Sequence, residues 1–186
     1  MKQQDFSEIA TILERLSRLL SNDANASGLL PVHWETLRYL SRANRFSLNT
    51  TALAAYLGST KGTVSQTIKA LERKGLVANK PEAKDRRRNR LSLTAEGLQL
   101  LDEDPIKEWE KITSELPVAM QSALSSGLKR LLSKRLDQRQ RQPFGQCQDC
   151  LHFSANHADG MPHFCALLNE PLTETEASSI CFEQTA

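Results

Sequence analysis

Two sets of residues in this chain have types and spacings that imply chemistry. The first is four cysteines confined to the last 40 residues, Cys147-x2-Cys150-x14-Cys165-x15-Cys181. A Cys-x-x-Cys turn brings two thiolates to one cation, and Cys165 and Cys181 complete a tetrahedral set. Such a set suits structural zinc best. An iron–sulfur cluster is the alternative, and it would make the protein a redox or iron sensor. A thiol switch is a third reading. His152, His157 and His163 are spare ligands by type, though each reads more naturally as a surface residue. From residue 143 onward there is no Lys or Arg, while Asp149, Asp159, Glu170, Glu174, Glu176 and Glu183 make the segment acidic. That leaves it to dock on the partly basic linker before it, Leu136 to Gly145, or to face a protein partner. Phe144, Phe153, Phe164 and Phe182 each lie close to a cysteine in the sequence. So short a segment buries too little apolar surface to fold alone, and a metal staple is expected.

The second set is polar and basic. Thr60, Lys61, Thr63, Ser65, Gln66 and Lys69 fall on one side of a helical stretch, with side chains that suit base edges and phosphates in a major groove. Lys80, Lys84, Arg86, Arg87, Arg88 and Arg90 follow on a predicted hairpin. From Lys61 to Arg90 ten Lys and Arg stand against three acidic residues, a net of +7 in a chain of net +2. A charge run alone is usually solvated surface. Beside a polar helix it suits phosphate contact, with counterion release as the driving force.

The elements that must position these residues are legible from spacing. Leu53, Ala54 and Leu57 share a face of one short helix. Gly58 ends it, where a tight turn calls for positive φ. Ser59 and Thr60 cap a second helix, whose inner stripe is Val64, Ile68 and Leu71 and whose stop is Gly75. Strands Leu76–Ala78 and Leu91–Leu93 form the hairpin. The pattern is a helix–turn–helix followed by a basic wing.

These pieces resemble the MarR family of regulators. The resemblance is carried by Ser59–Gln66, Leu71–Val77, Asp85-Arg86-Arg87 and Leu91–Gly97, and it runs from about residue 6 to about residue 140. It implies an obligate homodimer that sets two winged helices on a pseudo-palindromic operator. It also implies that Arg87 enters the minor groove with Asp85 fixing its guanidinium, a sensible use of a planar bidentate fork. A small-molecule effector pocket between dimer helices and reading head is common in the family. Asn79 departs from the pattern, where Arg is frequent. The cysteine tail is not part of the family pattern.

The flanking stretches fit such a dimer. Phe6, Ile9, Ala10, Leu13, Leu16 and Leu20 form a helical stripe over residues 5–21, followed by a loop from Asn22 to Gly28. Pro31 opens a helix with Val32, Trp34, Leu37 and Leu40 inward, and His33 near its start reads as a surface or satisfied core group. Thr94 caps a long helix, with Glu96 in its first turn, that breaks at Pro105. Ile106, Trp109, Ile112 and Leu116 continue the apolar stripe, and Pro117 starts a last helix carrying Met120, Leu124, Leu128, Leu131, Leu132 and Leu136. A single short chain cannot bury all these stripes; an intertwined dimer does.

The division is therefore a dimerisation helix (1–30), a DNA-binding domain (31–97), further dimerisation helices (98–142) and a four-cysteine metal-binding tail (143–186). The fold class is mainly α with a small β-wing. With 39% apolar and 25% charged residues the chain suits a soluble globular core. No apolar run approaches a membrane span and no signal peptide is evident, so a cytoplasmic location is the default. The expected function is sequence-specific regulation of transcription, as a repressor, with double-stranded DNA as partner. An interaction protein whose acidic tail recruits a partner is the alternative. A zinc deaminase is disfavoured: Gln146, not Pro, precedes Cys147, and four thiolates leave no open coordination position.

Overall fold

A computed structural model describes residues 4–81, 89–157 and 162–185. The chain begins with α1 (Gln4–Ala26), α2 (Pro31–Arg42), α3 (Thr50–Tyr56) and α4 (Lys61–Arg73). Strands β1 (Val77–Pro81) and β2 (Asn89–Leu93) pair antiparallel, Val77 opposite Leu93 and Asn79 opposite Leu91. This is the expected wing, in a register that sends Leu91 inward. Leu37, Leu53, Leu71 and Leu91 are fully buried around Trp34, so α2, α3, α4 and the wing share one core.

Caps and glycines fix the turns. Asn49 accepts the Ala52 N–H at the start of α3 (2.9 Å), and Thr60 accepts the Thr63 N–H at the start of α4 (3.1 Å). Gly58 and Gly75 both take positive φ, 60° and 74°, at the ends the sequence assigned to them.

After the wing, α5 (Ala95–Leu100) is capped by Thr94 and passes into a 3-10 turn at Leu101–Glu103, before α6 (Ile106–Ser114) and α7 (Val118–Gln138). The break expected at Pro105 thus begins at Leu101, four residues earlier. Asp104 explains it: its buried carboxylate accepts the Ile106 N–H (2.9 Å) and the Arg38 guanidinium (2.8 Å). The first helix, expected to stop at residue 21, continues to Ala26, because Ala24 is buried against the core. Just beyond it, the Ser27 hydroxyl accepts the Trp34 indole N–H (2.8 Å). His33 is buried and accepts the Leu30 N–H on Nδ1. Burial, and then Lys74, lower its pKa.

The remaining segment is built from very short pieces: β3 (Gly145–Gln146), a 3-10 turn at Cys147–Asp149, β4 (Phe153–Ala155), β5 (His163–Cys165), β6 (Glu170–Leu172), α8 (Glu174–Ala177) and β7 (Ile180–Cys181). β3 pairs with β7, and β4, β5 and β6 form a three-stranded antiparallel sheet. The segment is docked on the head. Ala43 bridges Ile180, and Phe144, Ile180 and Phe182 pack against the head's core, Phe144 edge-on to Tyr56 at 5.2 Å. The four Phe that lie near cysteines in the sequence have different neighbours in space: Phe144 and Phe182 pack on the head, Phe164 stacks on His157, and Phe153 packs with the thiols.

Candidate nucleic-acid interface and thiol cluster

The recognition surface is the outer side of α4. Val64, Thr67, Ile68 and Leu71 bury its inner side, and buried Ala54 lets α3 approach closely. Lys61, Thr63, Gln66 and Lys69 are exposed on the other side, as is Thr60 at the cap. Ser65 is half-buried and its hydroxyl donates to the Lys61 carbonyl (2.8 Å), which leaves it only an acceptor role toward DNA. A shallow groove runs past Gln66, Lys69, Glu72 and Arg73. Arg73 is an addition to the expected set. Its place seven residues after Gln66 was the available signal. At the base of the wing, exposed Lys80 lies opposite exposed Arg90. Lys84, Asp85, Arg86, Arg87 and Arg88 fall outside the described residues.

The scaffold that presents α4 can be compared with known proteins. Residues 27–88, from the end of α1 to the wing, match a family model described as the MarR family. A MarR transcriptional regulator from Methanosarcina mazei Go1 superposes with a TM-score of 0.59 at 23% identity, covering 73% of this chain and 99% of that one. The S. aureus MepR–DNA complex gives 0.58 at 24%, covering 67% and 96%. BldR, a transcriptional regulator from Sulfolobus solfataricus, gives 0.55 at 23%, covering 72% and 99%. The head has the MarR winged-helix fold. No curated protein sequence matches the chain. No helix among the described residues is long and apolar enough to cross a membrane.

Outside that MarR fold, the thiols are partly gathered. Cys147 and Cys181 are buried in one apolar cluster, and none of the four is cross-linked. Cys165 shares their apolar cluster with Leu172, Phe153 and the head's Phe46. Cys150 closes the turn from Cys147, its N–H donating to the Cys147 carbonyl (3.1 Å). As they stand, no three His, Cys, Asp or Glu side chains among the described residues form a set that holds a metal ion. The closeness of Cys181, and then burial, push the Cys147 thiol up, while the closeness of Cys147 pulls the Cys181 thiol down. Of the spare histidines, His163 alone is buried; its Nε2 meets Glu174 at 3.2 Å, and its Nδ1 has no partner among the described residues.

The junction between α2 and α3 reaches directly into this cluster. The Asn44 amide donates to Cys147 Sγ (3.3 Å) and its carbonyl accepts the Ser47 N–H (3.0 Å). The Asn44 N–H donates to the Ile180 carbonyl (2.9 Å), and the Ser47 hydroxyl accepts the Phe182 N–H (2.8 Å). Arg45 donates to Glu176, to Glu170 (3.3 Å) and to the Pro171 carbonyl (2.6 Å). The acidic tail therefore grips one arginine at the entrance to the helix–turn–helix, not the basic linker before it. The run Asn44-Arg45-Phe46-Ser47 was not singled out by spacing, because it has no period.

Proposed function

We propose that the protein is a sequence-specific DNA-binding regulator of transcription, a repressor that acts as a homodimer on a pseudo-palindromic operator. One observation carries the reading. A capped, rigidly seated α4 presents Lys61, Thr63, Gln66 and Lys69 to solvent beside a wing whose sequence is strongly basic. Gln66 offers both a donor and an acceptor to a base edge, and the lysines offer charge to phosphates. MepR has been crystallised with DNA on this same fold.

Dimerisation is supported by an apolar surface the single chain leaves open. Phe6, Ile9, Ile12 and Leu19 on α1 are exposed, and so are Met120, Leu128 and Leu132 on α7, a helix with no buried residue. A second copy that interleaves these helices removes that surface from water. An effector is supported by a cavity of about 410 Å³ between α1, α2 and α6, lined by Leu16, Leu20, Glu35, Arg38, Ile106 and Trp109. CouR of Rhodococcus jostii RHA1, with the same fold, is bound to p-coumaroyl-CoA.

The test is a gel shift on DNA flanking the protein's own coding region. Gln66→Ala should weaken the specific site by about 1–3 kcal/mol and relax its sequence preference. Lys69→Ala should weaken specific and random DNA alike and flatten the salt dependence by about one unit of slope, whereas Arg87→Ala should remove the minor-groove contact and abolish specific binding. Equal affinity of the unmodified chain for its best site and for random DNA rejects the reading.

A further inference from the structure

We propose that Cys147, Cys150, Cys165 and Cys181 together hold one thiophilic divalent cation, zinc by its chemistry, and that Asn44 ties its loading to the α2–α3 junction of the head. The placement of the four thiols comes first. Cys147 starts the 3-10 turn and Cys150 follows it, Cys165 ends β5, and Cys181 ends β7. A single cation bound to all four therefore staples the three-stranded sheet to the β3–β7 pair. Cys150 and Cys165 lie on touching backbone: the Phe153 N–H donates to the Cys150 carbonyl (3.0 Å), and Phe153 is paired with Cys165. Zn–S bonds of about 2.3 Å put sulfurs about 3.8 Å apart. Cys147, Cys181 and Cys165 already share one apolar cluster, and loading requires Cys150 and Cys165, both half-buried, to turn their thiols about χ1 toward it.

The polar surroundings point the same way. N–H donors are aimed at sulfur: Asn44 at Cys147 (3.3 Å) and Thr185 at Cys150 (3.5 Å). Such donors stabilise thiolate, the form that ligates metal, far more than they stabilise a neutral thiol. The rest of the tail cannot hold itself together. Its strands are two or three residues long, and its own cluster buries only Leu172 besides the two cysteines. On binding, each thiol gives its proton to water and its sulfur lone pair to the cation, so four S–H bonds are exchanged for four S–metal bonds. Four thiolates leave no position for water, which makes the site structural.

Coupling to the head follows from Asn44. Its amide nitrogen lies on the sulfur, and its oxygen holds the Ser47 N–H that shapes the approach to the α3 cap. Only the consequence for DNA binding rests on the regulator reading; the metal site does not.

The experiment titrates the full reduced chain with Co²⁺, then with Zn²⁺. One Co²⁺ per chain is expected, with intense thiolate charge transfer and tetrahedral visible bands that zinc abolishes. Each Cys→Ser change should weaken zinc by more than about 100-fold, and Asn44→Ala by about 10-fold. Zinc should slow amide exchange at Ser47 and Phe182 in the unmodified chain, a readout that needs no variant to fold. Octahedral or substoichiometric cobalt, or a brown iron chromophore in anaerobically prepared protein, overturns the site. Full affinity in Cys150→Ser overturns the four-thiol set in favour of His163. Unchanged exchange at Ser47 overturns the coupling. None of these readings involves DNA, so a failed gel shift leaves them standing.

Discussion

The head and the tail of this chain are held by different physics. In the head, Leu37, Leu53, Leu71 and Leu91 are wholly shielded from water around Trp34, and the polar contacts are caps that finish helices already stabilised by packing. In the tail, the buried apolar cluster amounts to Leu172 with Cys147 and Cys181, and three of the contacts that place it come from the head's Asn44, Arg45 and Ser47. Burial scales with the number of apolar side chains that meet, so the head folds on its own account while the tail depends on its neighbour and its thiols.

The contrast breaks most visibly in the head core. Leu53→Ala should lower the unfolding free energy by about 2–5 kcal/mol, since a fully buried leucine leaves a cavity that rigid α2 and α4 cannot fill. Thermal melts followed by helical circular dichroism should show the whole chain losing structure earlier. Leu172→Ala removes the same atoms from the tail, and it should leave the helical melt nearly unchanged while amide protection at Phe182 falls. Equal loss of the helical melt in both variants would show that head and tail fold as one unit.

Gly97 offers the next largest effect. A Cβ there would stand 2.1 Å from the backbone carbonyl oxygen of Leu76, and backbone has little room to retreat. Gly97→Ala should cost about 1–3 kcal/mol, despite the higher helix propensity of Ala. Its cost should appear in the same helical melt, because Gly97 brings α5 against the end of α4 and the start of the wing. A neutral or stabilising result would mean that α5 moves away freely and that the wing is not braced from behind.

What the sequence disclosed divides along the same line. Leu53, Ala54, Gly58, Val64, Ile68, Leu71 and Gly75 all occupy the places their spacing assigned, because packing imposes a period and tight turns impose a residue type. The exposed side of α4 was legible for the same reason, being the complement of its buried stripe. The docking of the tail was not. It rests on Asn44, Arg45 and Ser47, polar residues in an aperiodic junction whose partners lie more than 100 positions away in the chain. Counting charges correctly marked the tail as acidic, yet net charge could not choose between Arg45 and the arginines of the 136–145 linker. Phe144 and Phe182 also lie near cysteines in the sequence, whereas packing sends Phe144 to Tyr39 and Tyr56 and sets Phe182 against Phe144.

The smallest effect tests the grip itself. Glu176 lies between opposing influences: burial raises its pKa, but the Thr173 N–H and the Arg45 guanidinium outweigh burial and bring it below the ordinary 4.5. A carboxylate with a depressed pKa contributes docking that is fully present above about pH 4.5, the unfolded value, and that fades as pH falls through the lower folded value. Because Arg45 is itself partly exposed, the contribution should not exceed about 1 kcal/mol. Amide exchange at Phe182, whose N–H reaches back to Ser47, reports the docked state. Protection there should decline below pH 4.5 in the unmodified chain, and Glu176→Gln should remove the part of that decline due to this carboxylate. Thiol protonation acts in both proteins alike, so the difference between the two curves isolates Glu176. If the curves coincide, the Arg45 contacts follow from a tail placed by Asn44, Ser47 and the aromatic side chains, and the dependence of tail on head does not run through this ion pair.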